Sequence, residues 1–234
     1  LEHDSIFLME FPIPLEVKTV TAGLREAGYE AYLVGGCVRD LMIGRTPKDW
    51  DVTTNAKPED IVRVFPDSFY ENDFGTVGVK TGSEDVKLAI IEVTPYRTET
   101  GYSDKRRPDE VIFGDNLEED LARRDFTINA IALDDSKGHI IDPYLGQKDI
   151  QHKVLRTVGS PTERFEEDAL RLMRAVRLVA ELDFALESET AAAIKEKAPN
   201  LKHISREGIR DEFVRILNSK QPMMAIVLCQ QLDL

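Results

Sequence analysis

The sequence has little cysteine: Cys37 and Cys229 are the only two in 234 residues. Two cysteines so far apart form neither a disulfide framework nor the paired ligand spacing of a zinc site. No uninterrupted apolar run approaches the roughly 20 residues of a membrane-spanning helix. The first residues include Glu2 and Asp4 and lack the basic stretch that begins a secretory signal. These absences lead us to expect a cytoplasmic protein that does not bind membranes.

Basic charge is scarce as well. The chain has 30 lysines and arginines against 43 aspartates and glutamates, a formal net charge of −13. This balance argues against nonspecific coating of nucleic acid, because contacts with phosphates dominate that kind of binding. A local basic site stays open, since basic residues cluster at 105–107, 123–124 and 171–177. The chain begins without Met and ends within a helical pattern, so we expect a fragment of a longer protein.

The apolar pattern predicts a mixed α+β head at residues 1–146 and an all-helical domain at residues 147–234. Short strands are predicted at 32–34, 77–80 and 86–93, and helices at 37–43 and 58–64. From residue 161 the pattern is helical, with helices predicted at 161–180, 187–198, 205–218 and 221 to the end. Residues 97–114 are rich in charge, proline and glycine, which is typical of a loop.

A glycine turn followed by an arginine and two aspartates is the most informative motif. Gly35-Gly36 follows the first predicted strand and permits a tight turn where backbone can approach a ligand closely. The next helix would present its free N–H groups and Arg39 to phosphates. Asp49 and Asp51 lie two apart on a predicted strand, so both side chains point to one face. Two such carboxylates suit Mg²⁺, which prefers oxygen ligands, and the motif predicts phosphoryl transfer.

Each part of this motif also has a structural interpretation. Paired glycines after a strand are common, and Asp-x-Asp at a strand end is often a solvated loop or a helix cap. The ordered combination of strand, glycine turn, arginine and paired aspartates favours the functional interpretation.

A second group of polar residues lies at 123–130, where the sequence reads Arg-Arg-Asp-Phe-Thr-Ile-Asn-Ala. Arg123 and Arg124 precede Asp125, and Asn129 follows about one helical turn later. Guanidinium groups form forked contacts with phosphate, and an Asp or Asn side chain can share a ribose hydroxyl. The alternative is a structural salt-bridge cluster packed around Phe126.

A third group lies on the helix predicted at 161–180. Asp168 and Arg171 are three apart and therefore neighbours on a helix. Cytosine and adenine each present an amino donor beside a ring-nitrogen acceptor, which a carboxylate and a guanidinium can pair, whereas uracil and guanine reverse both polarities. Leaving both partners unpaired in a dry pocket would cost on the order of 10³-fold in selectivity. The alternative is a surface ion pair of little energetic value.

Taken in order, these motifs resemble the class II tRNA nucleotidyltransferases, which are the CCA-adding enzymes and related bacterial poly(A) polymerases of the polymerase β-like superfamily. The resemblance runs from about residue 33 to residue 217. It includes a further motif, Asp-Pro-Tyr-Leu-Gly at 142–146, expected to act as a spring between head and neck. The resemblance implies an α+β nucleotidyltransferase head with a mixed sheet, followed by a helical neck.

In the head, the resemblance implies that Asp49 and Asp51 hold catalytic Mg²⁺. Gly36 and Arg39 would contact the nucleotide triphosphate. The family has a third carboxylate on a neighbouring strand, and Glu92 is the candidate for it. The alternative for Glu92 is an edge-strand charge that faces water.

In the second half of the chain, the resemblance assigns the remaining contacts to bound nucleotide. Arg124 and Asp125 would contact the ribose or the phosphates. Asp168 and Arg171 would act as an amino-acid template for the incoming base, with Arg174 and Arg177 binding nearby. Residues 97–102 with Asp104 and Arg107 look like the flexible loop of CCA-adding or A-adding members.

The reaction so implied is attack of an RNA 3′-hydroxyl on the α-phosphate of ATP or CTP, with pyrophosphate leaving and a tRNA 3′ end as acceptor. Two alternatives stay open. A poly(A) polymerase would use ATP alone and make long tails on general RNA. A module that binds nucleotide or RNA without catalysis would show no metal dependence. The sequence does not indicate an oligomeric state.

Overall fold

The computed structural model describes residues 11–71, 75–102, 105–106 and 108–234, without the side chains of residues 99 and 100. The chain divides into two compact units. Unit 1 contains the described residues up to Arg97 together with Phe113–Leu121 and Ile131–Pro143. Unit 2 contains the described parts of Thr98–Ile112 together with Ala122–Ala130 and Tyr144–Leu234.

Short strands and helices alternate through the first part of the chain, and helices follow in the last. The strands are β1 (Ala31–Val34), β2 (Asp51–Thr54), β3 (Ser68–Tyr70), β4 (Val77–Lys80), β5 (Ile90–Pro95), β6 (Arg97–Thr100), β7 (Glu110–Phe113), β8 (Ala132–Asp134), β9 (His139–Ile141), β10 (Val154–Leu155) and β11 (Ala185–Leu186). The helices are α1 (Leu15–Glu26), α2 (Gly36–Met42), α3 (Pro58–Val64), α4 (Leu117–Ala122), α5 (Gly146–His152), α6 (Pro161–Glu167), α7 (Leu170–Leu182), α8 (Ser188–Lys197), α9 (Arg206–Leu217) and α10 (Pro222–Gln231). Two 3₁₀ turns lie at Thr127–Asn129 and Ala198–His203.

Unit 1 is built on a mixed sheet with the strand order β3-β4-β5-β2-β1-β8-β9. The pairs between its neighbours are antiparallel, except that β2 and β5 run parallel with Asp51 opposite Glu92. The central strands are short and rich in valine, isoleucine and leucine, which fit a pleated, buried surface. Leu33, Ile91 and Val93 are fully buried in this core. The mixed sheet with helices confirms the predicted fold class of the head.

Helix α1 covers unit 1 with an amphipathic face. Val17, Val20 and Leu24 recur at helical spacing and are buried, whereas Leu15 is exposed. Burying a leucine or valine side chain stabilises the fold by roughly 1.5–3 kcal/mol relative to leaving it exposed. Of the apolar side expected for this helix, Leu15, Val20, Leu24 and Ala27, only Val20 and Leu24 are buried, and Leu15 and Ala27 at the two ends are exposed.

Unit 2 is mainly helical, and α7 lies at its centre. Most residues of α7 are buried, among them Leu172, Val176 and Val179, because the helix packs against α9 and α10. The predicted all-helical neck is confirmed in its helices. It also contains a two-residue parallel pair of β10 and β11, which the sequence did not indicate.

Three local predictions differ from the structure. The helix predicted at 161–180 is two helices, because the chain leaves helical geometry at Asp168, whose φ is −133° and ψ is 102°. The strand predicted at 86–93 begins only at Ile90, since Leu88 and Ala89 donate to the carbonyl of Asp85 and form a turn. The loop predicted at 97–114 contains β6 and β7, which pair with each other.

The two compact units do not follow a single division of the chain at residue 146. Segments within 98–112 and 122–130 belong to unit 2, and unit 1 ends at Pro143. A functional boundary between a head at 1–146 and a neck at 147–234 stays a prediction.

Candidate active site

The glycine turn forms as the sequence predicts. Gly35 has a φ of 79° and lies between the end of β1 and the start of α2, in a backbone region that favours glycine. The N–H of Arg39 donates to the carbonyl of Gly35 at 3.2 Å. A Cβ added to Gly36 would lie 3.5 Å from an Arg39 guanidinium nitrogen. The turn and the guanidinium therefore adjoin, as a phosphate-binding turn requires.

Asp49 and Asp51 differ from the prediction in one respect. β2 begins at Asp51, and Asp49 lies in the bend before it rather than on the strand. Trp50 between them is 4% exposed, whereas Asp49 is exposed and Asp51 is partly exposed. The buried indole lies between two carboxylates that reach solvent, so the alternation of buried and exposed side chains extends two residues before the start of β2.

Glu92 lies on β5 directly opposite Asp51. Partial burial raises the pKa of the Glu92 carboxyl, and the negative charges of Asp51, Glu71 and Asp49 raise it further. These carboxylates repel one another, and a bound cation would relieve the repulsion. The oxygen donors and their shared charge thus fit a hard divalent cation.

The set of carboxylates is nevertheless not a closed coordination shell. Within the described part of the chain, no three His, Cys, Asp or Glu side chains come together in an arrangement that could hold a metal ion. An open set of this kind leaves coordination positions for substrate oxygens and water, as Mg²⁺ sites at phosphates commonly do.

Beyond Asp51, unit 1 also contains buried polar residues that hydrogen-bond to one another. Two residues beyond Asp51, the Thr53 hydroxyl lies 3.2 Å from the carbonyl of Thr94 and 3.3 Å from a carboxylate oxygen of Asp120. Asp120 is fully buried on α4. Sequence reasoning missed these residues, because neither a threonine in a strand nor an aspartate in a helix signals burial.

In unit 2, Asp125 is buried and held by several donors. Its Oδ1 accepts from Asn129 Nδ2 at 3.1 Å and from the N–H of Phe126 at 2.8 Å, and its Oδ2 lies 2.7 Å from an Arg174 nitrogen. Burial raises the pKa of Asp125, but Arg174, Asn129 and Arg171 outweigh it and hold the pKa below its ordinary value. Asp125 and Asn129 do adjoin, as predicted, although through a 3₁₀ turn.

Asp168 and Arg171, expected to be neighbours on one helix, do not form the ion pair that was the alternative to a base template. Arg171 donates to Glu167 at 2.7 Å, because Asp168 lies outside both helices at the α6–α7 break. Asp168 accepts from the N–H of Leu170 at 2.9 Å and from Arg106 at 2.7 Å. Burial raises the pKa of Asp168, and the positive charges of Arg106 and Arg171 offset only part of that effect.

Arg174 and Arg177 face different partners. Arg174 pairs with Asp125, whereas Arg177 pairs with Glu212 at 2.6 Å and with Glu181 at 3.0 Å. The pairing with two carboxylates favours a structural role for Arg177 over the predicted nucleotide contact. Asp104 and Arg107 of the predicted flexible loop lie outside the described residues.

Comparison with known proteins places this geometry in a family. Residues 31–156 match the family described as the poly(A) polymerase head domain. The chain belongs to the poly(A) polymerase head-domain family. Residues 183–234 match a second family, described as the probable RNA- and SrmB-binding site of polymerase A.

Relatives of this poly(A) polymerase head-domain chain include named CCA-adding enzymes. The enzyme of Lactobacillus helveticus is 48% identical over 203 residues, which cover 86% of this chain and 49% of the relative. The enzyme of Geobacillus kaustophilus is 50% identical over 196 residues, which cover 83% of this chain and 47% of the relative. The chain thus spans about half the length of these relatives.

Solved structures give the same result. The Bacillus stearothermophilus CCA-adding enzyme in complex with CTP has a TM-score of 0.82 at 41% identity, covering 93% of this chain and 52% of that one. The Thermotoga maritima CCA-adding enzyme complexed with tRNA has a TM-score of 0.77 at 25% identity, covering 97% of this chain and 53% of that one. The head and neck fold of these enzymes is therefore the fold of this chain. No helix among the described residues is long and apolar enough to cross a membrane.

Proposed function

We propose that this chain carries the nucleotidyltransferase part of an enzyme that adds C and A to tRNA 3′ ends. The observation that carries the proposal is the pairing of Asp51 with Glu92 on parallel strands of a poly(A) polymerase head domain. The relatives named as CCA-adding enzymes support C and A as the added nucleotides. The reaction would be attack of the RNA 3′-hydroxyl on the nucleotide α-phosphate, with pyrophosphate leaving.

Asp49 and Asp51 are the residues that would hold Mg²⁺, and Glu92 would complete the carboxylate set. When bound, Mg²⁺ supplies charge stabilisation at the phosphate oxygens and a more acidic 3′-hydroxyl. The carboxylates of this chain fix the place of that charge, and their mutual repulsion favours occupation by a cation. Gly36 and Arg39 would orient the triphosphate through the adjoining backbone and guanidinium.

Asp168 and Arg171 are proposed to select the base. The carboxylate would accept from the exocyclic amino group of cytosine or adenine, and the guanidinium would donate to the ring nitrogen beside it. Asp168 now has one oxygen on Arg106 and the other on the start of α7. Base selection therefore requires that nucleotide compete with Arg106 for this carboxylate. Arg124, Asp125 and Arg174 are proposed to bind nucleotide nearby.

A nucleotide-binding experiment tests base selection without requiring the whole tRNA surface. Dissociation constants for CTP, ATP, UTP and GTP would be measured by equilibrium dialysis with Mg²⁺. We expect CTP and ATP to bind at least about tenfold more tightly than UTP and GTP, and Asp168→Asn to reduce the preference. Equal affinities for the four nucleotides would remove the template role of Asp168 and Arg171.

The poly(A) polymerase alternative has specific support in the descriptions of both matched families. It predicts use of ATP alone and long products, which separates it from C and A addition. A module that only binds nucleotide is disfavoured, because Asp51 and Glu92 lie opposite each other on parallel strands with Asp49 close by in the sequence. For the same chain we propose a cytoplasmic location, supported by Cys37 and Cys229, which form no disulfide.

A further inference from the structure

Asp149 is a buried carboxylate to which the proposed reaction gives no role. It lies on α5 and is only 6% exposed. Its Oδ2 accepts a hydrogen bond from the Thr127 hydroxyl at 2.6 Å and another from Arg156 Nε at 3.2 Å. Aspartate is rarely buried to this extent unless its charge is paired, and these two donors are what stabilise it.

The two donors come from two chain segments that pair with each other. The N–H of Thr127 donates to the carbonyl of Arg156 at 3.0 Å, and the N–H of Val158 donates to the carbonyl of Asp125 at 3.1 Å. Phe126 and Thr157 form an antiparallel bridge between these bonds. The Asp149 carboxylate therefore joins both sides of one bridge and fixes the start of the 3₁₀ turn at Thr127.

This turn determines where the Asp125 side chain points. Asn129 at the end of the turn donates to Asp125 from its side chain, and its backbone N–H donates to the carbonyl of Phe126 at 2.9 Å. A rotation at Thr127 would move Asn129 away from Asp125. Asp125 would then keep the Phe126 N–H and Arg174 as partners but lose the Asn129 hydrogen bond that restrains its Oδ1.

We propose that Asp149 is a positioning residue for the nucleotide contact of Asp125, and that it acts through the Thr127 hydroxyl. The inference rests on the proposed function, since it concerns the same nucleotide site. Asp149 does not touch the reacting atoms in this account. Small displacements of groups that orient a substrate have large effects on binding and rate, so its loss should be measurable in nucleotide affinity.

The test compares matched variants of buried threonines. Thr127→Val keeps the shape of the side chain and removes the hydroxyl, whereas Thr127→Ser keeps the hydroxyl. Thr21→Val is the control, because Thr21 is also buried and its hydroxyl donates to Asp135 at 2.8 Å, within unit 1. Asp149→Asn keeps the volume but removes the charge that strengthens both hydrogen bonds.

CTP dissociation constants and thermal midpoints would be measured for each folded variant. We expect Thr127→Val to weaken CTP binding about tenfold, and Asp149→Asn by a smaller factor in the same direction. Thr127→Ser and Thr21→Val should stay within about twofold of the unsubstituted chain, although Thr21→Val should lower the thermal midpoint.

One result would contradict the positioning role, and a different one would contradict the proposed function. If Thr127→Val and Asp149→Asn lower only the thermal midpoint, as Thr21→Val does, the positioning role is wrong and Asp149 is purely structural. If the unsubstituted chain does not bind CTP in preference to UTP, the proposed function itself fails. Should Thr127→Val not fold, the affinity of Asp149→Asn decides the question.

Discussion

Asp51 and Glu92 occupy paired positions on parallel strands, and their charges repel each other unless a cation or a proton lies between them. The sequence predicted both residues as site carboxylates, Asp51 from its spacing with Asp49 and Glu92 from the family resemblance. It did not predict that Asp49 lies before the strand, since an exposed residue next to a buried tryptophan follows the same alternation as a strand residue.

Removing the charge of Asp51 should abolish catalysis without unfolding the chain. We expect Asp51→Asn to reduce nucleotide incorporation by about 10³-fold or more, because the proposed Mg²⁺ site would lose a ligand. Its thermal midpoint should be unchanged or slightly raised, since the repulsion with Glu92 is relieved. Incorporation of labelled CTP and a melting curve measure the two effects. Asp60→Asn is the control, since Asp60 pairs with exposed Arg63, and equal loss in both variants would contradict the assignment.

Asp125 should stabilise the folded chain more at neutral pH than at acidic pH. The pKa of Asp125 is lowered in the folded chain from the ordinary value of 3.8. Its contribution to the free energy of unfolding is therefore fully present above pH 3.8 and is lost as the pH falls through the lower pKa of the folded chain. Asp125→Asn should therefore reduce the free energy of unfolding at pH 7, and the difference from the unsubstituted chain should shrink below about pH 4.

Urea unfolding of the two chains at several pH values measures this difference. Asp211→Asn serves as the control, because Asp211 forms an exposed pair with Arg210 and should contribute little at any pH. A difference for Asp125→Asn that stays constant from pH 7 to pH 3 would show that the lowered pKa does not contribute to stability.

At the scale of elements, local sequence patterns predicted some boundaries to the residue and missed others. Helix α3 and strand β4 have the predicted bounds, because Pro58 favours the first turn of a helix and Val77 and Val79 alternate along the strand. The α6–α7 break carries no proline or glycine. It forms where the Asp168 side chain accepts from the N–H of Leu170, the first residue of α7, a local hydrogen bond that competes with helix and that helical periodicity does not reveal.

The ion pair between α7 and α9 should stabilise the helical unit. Arg177 and Glu212 are both largely buried and lie 2.6 Å apart, so Arg177→Gln would leave the Glu212 charge without its main partner. We expect a loss of about 3 kcal/mol in the free energy of unfolding, with CTP affinity unchanged.

The neighbouring Arg215 offers a matched control for that change. Its closest nitrogen lies 3.6 Å from Glu212, and its side chain is 63% exposed. Arg215→Gln should therefore alter the free energy of unfolding by no more than about 1 kcal/mol. A fall in CTP affinity with unchanged stability for Arg177→Gln would instead support the nucleotide contact predicted from the sequence.

At the scale of the whole molecule, the motifs predicted the family but did not predict how the chain segments pack. Four ordered motifs led to the nucleotidyltransferase family, which the matched head domain confirms. The assignment of 122–130 to the helical unit was not predicted, because it depends on pairing with 156–158 and on Arg174, contacts that are distant in sequence. Local periodicity contains no information about such contacts.

The most direct measurement is the incorporation of each labelled nucleotide, with Mg²⁺, into three tRNA transcripts. These would end before the first C of the CCA sequence, after the first C and after the second C, with Asp49→Ala as the inactive control. We expect addition of the missing C and A residues to each transcript and no further growth. Long A tracts, or incorporation that Asp49→Ala does not diminish, would contradict it.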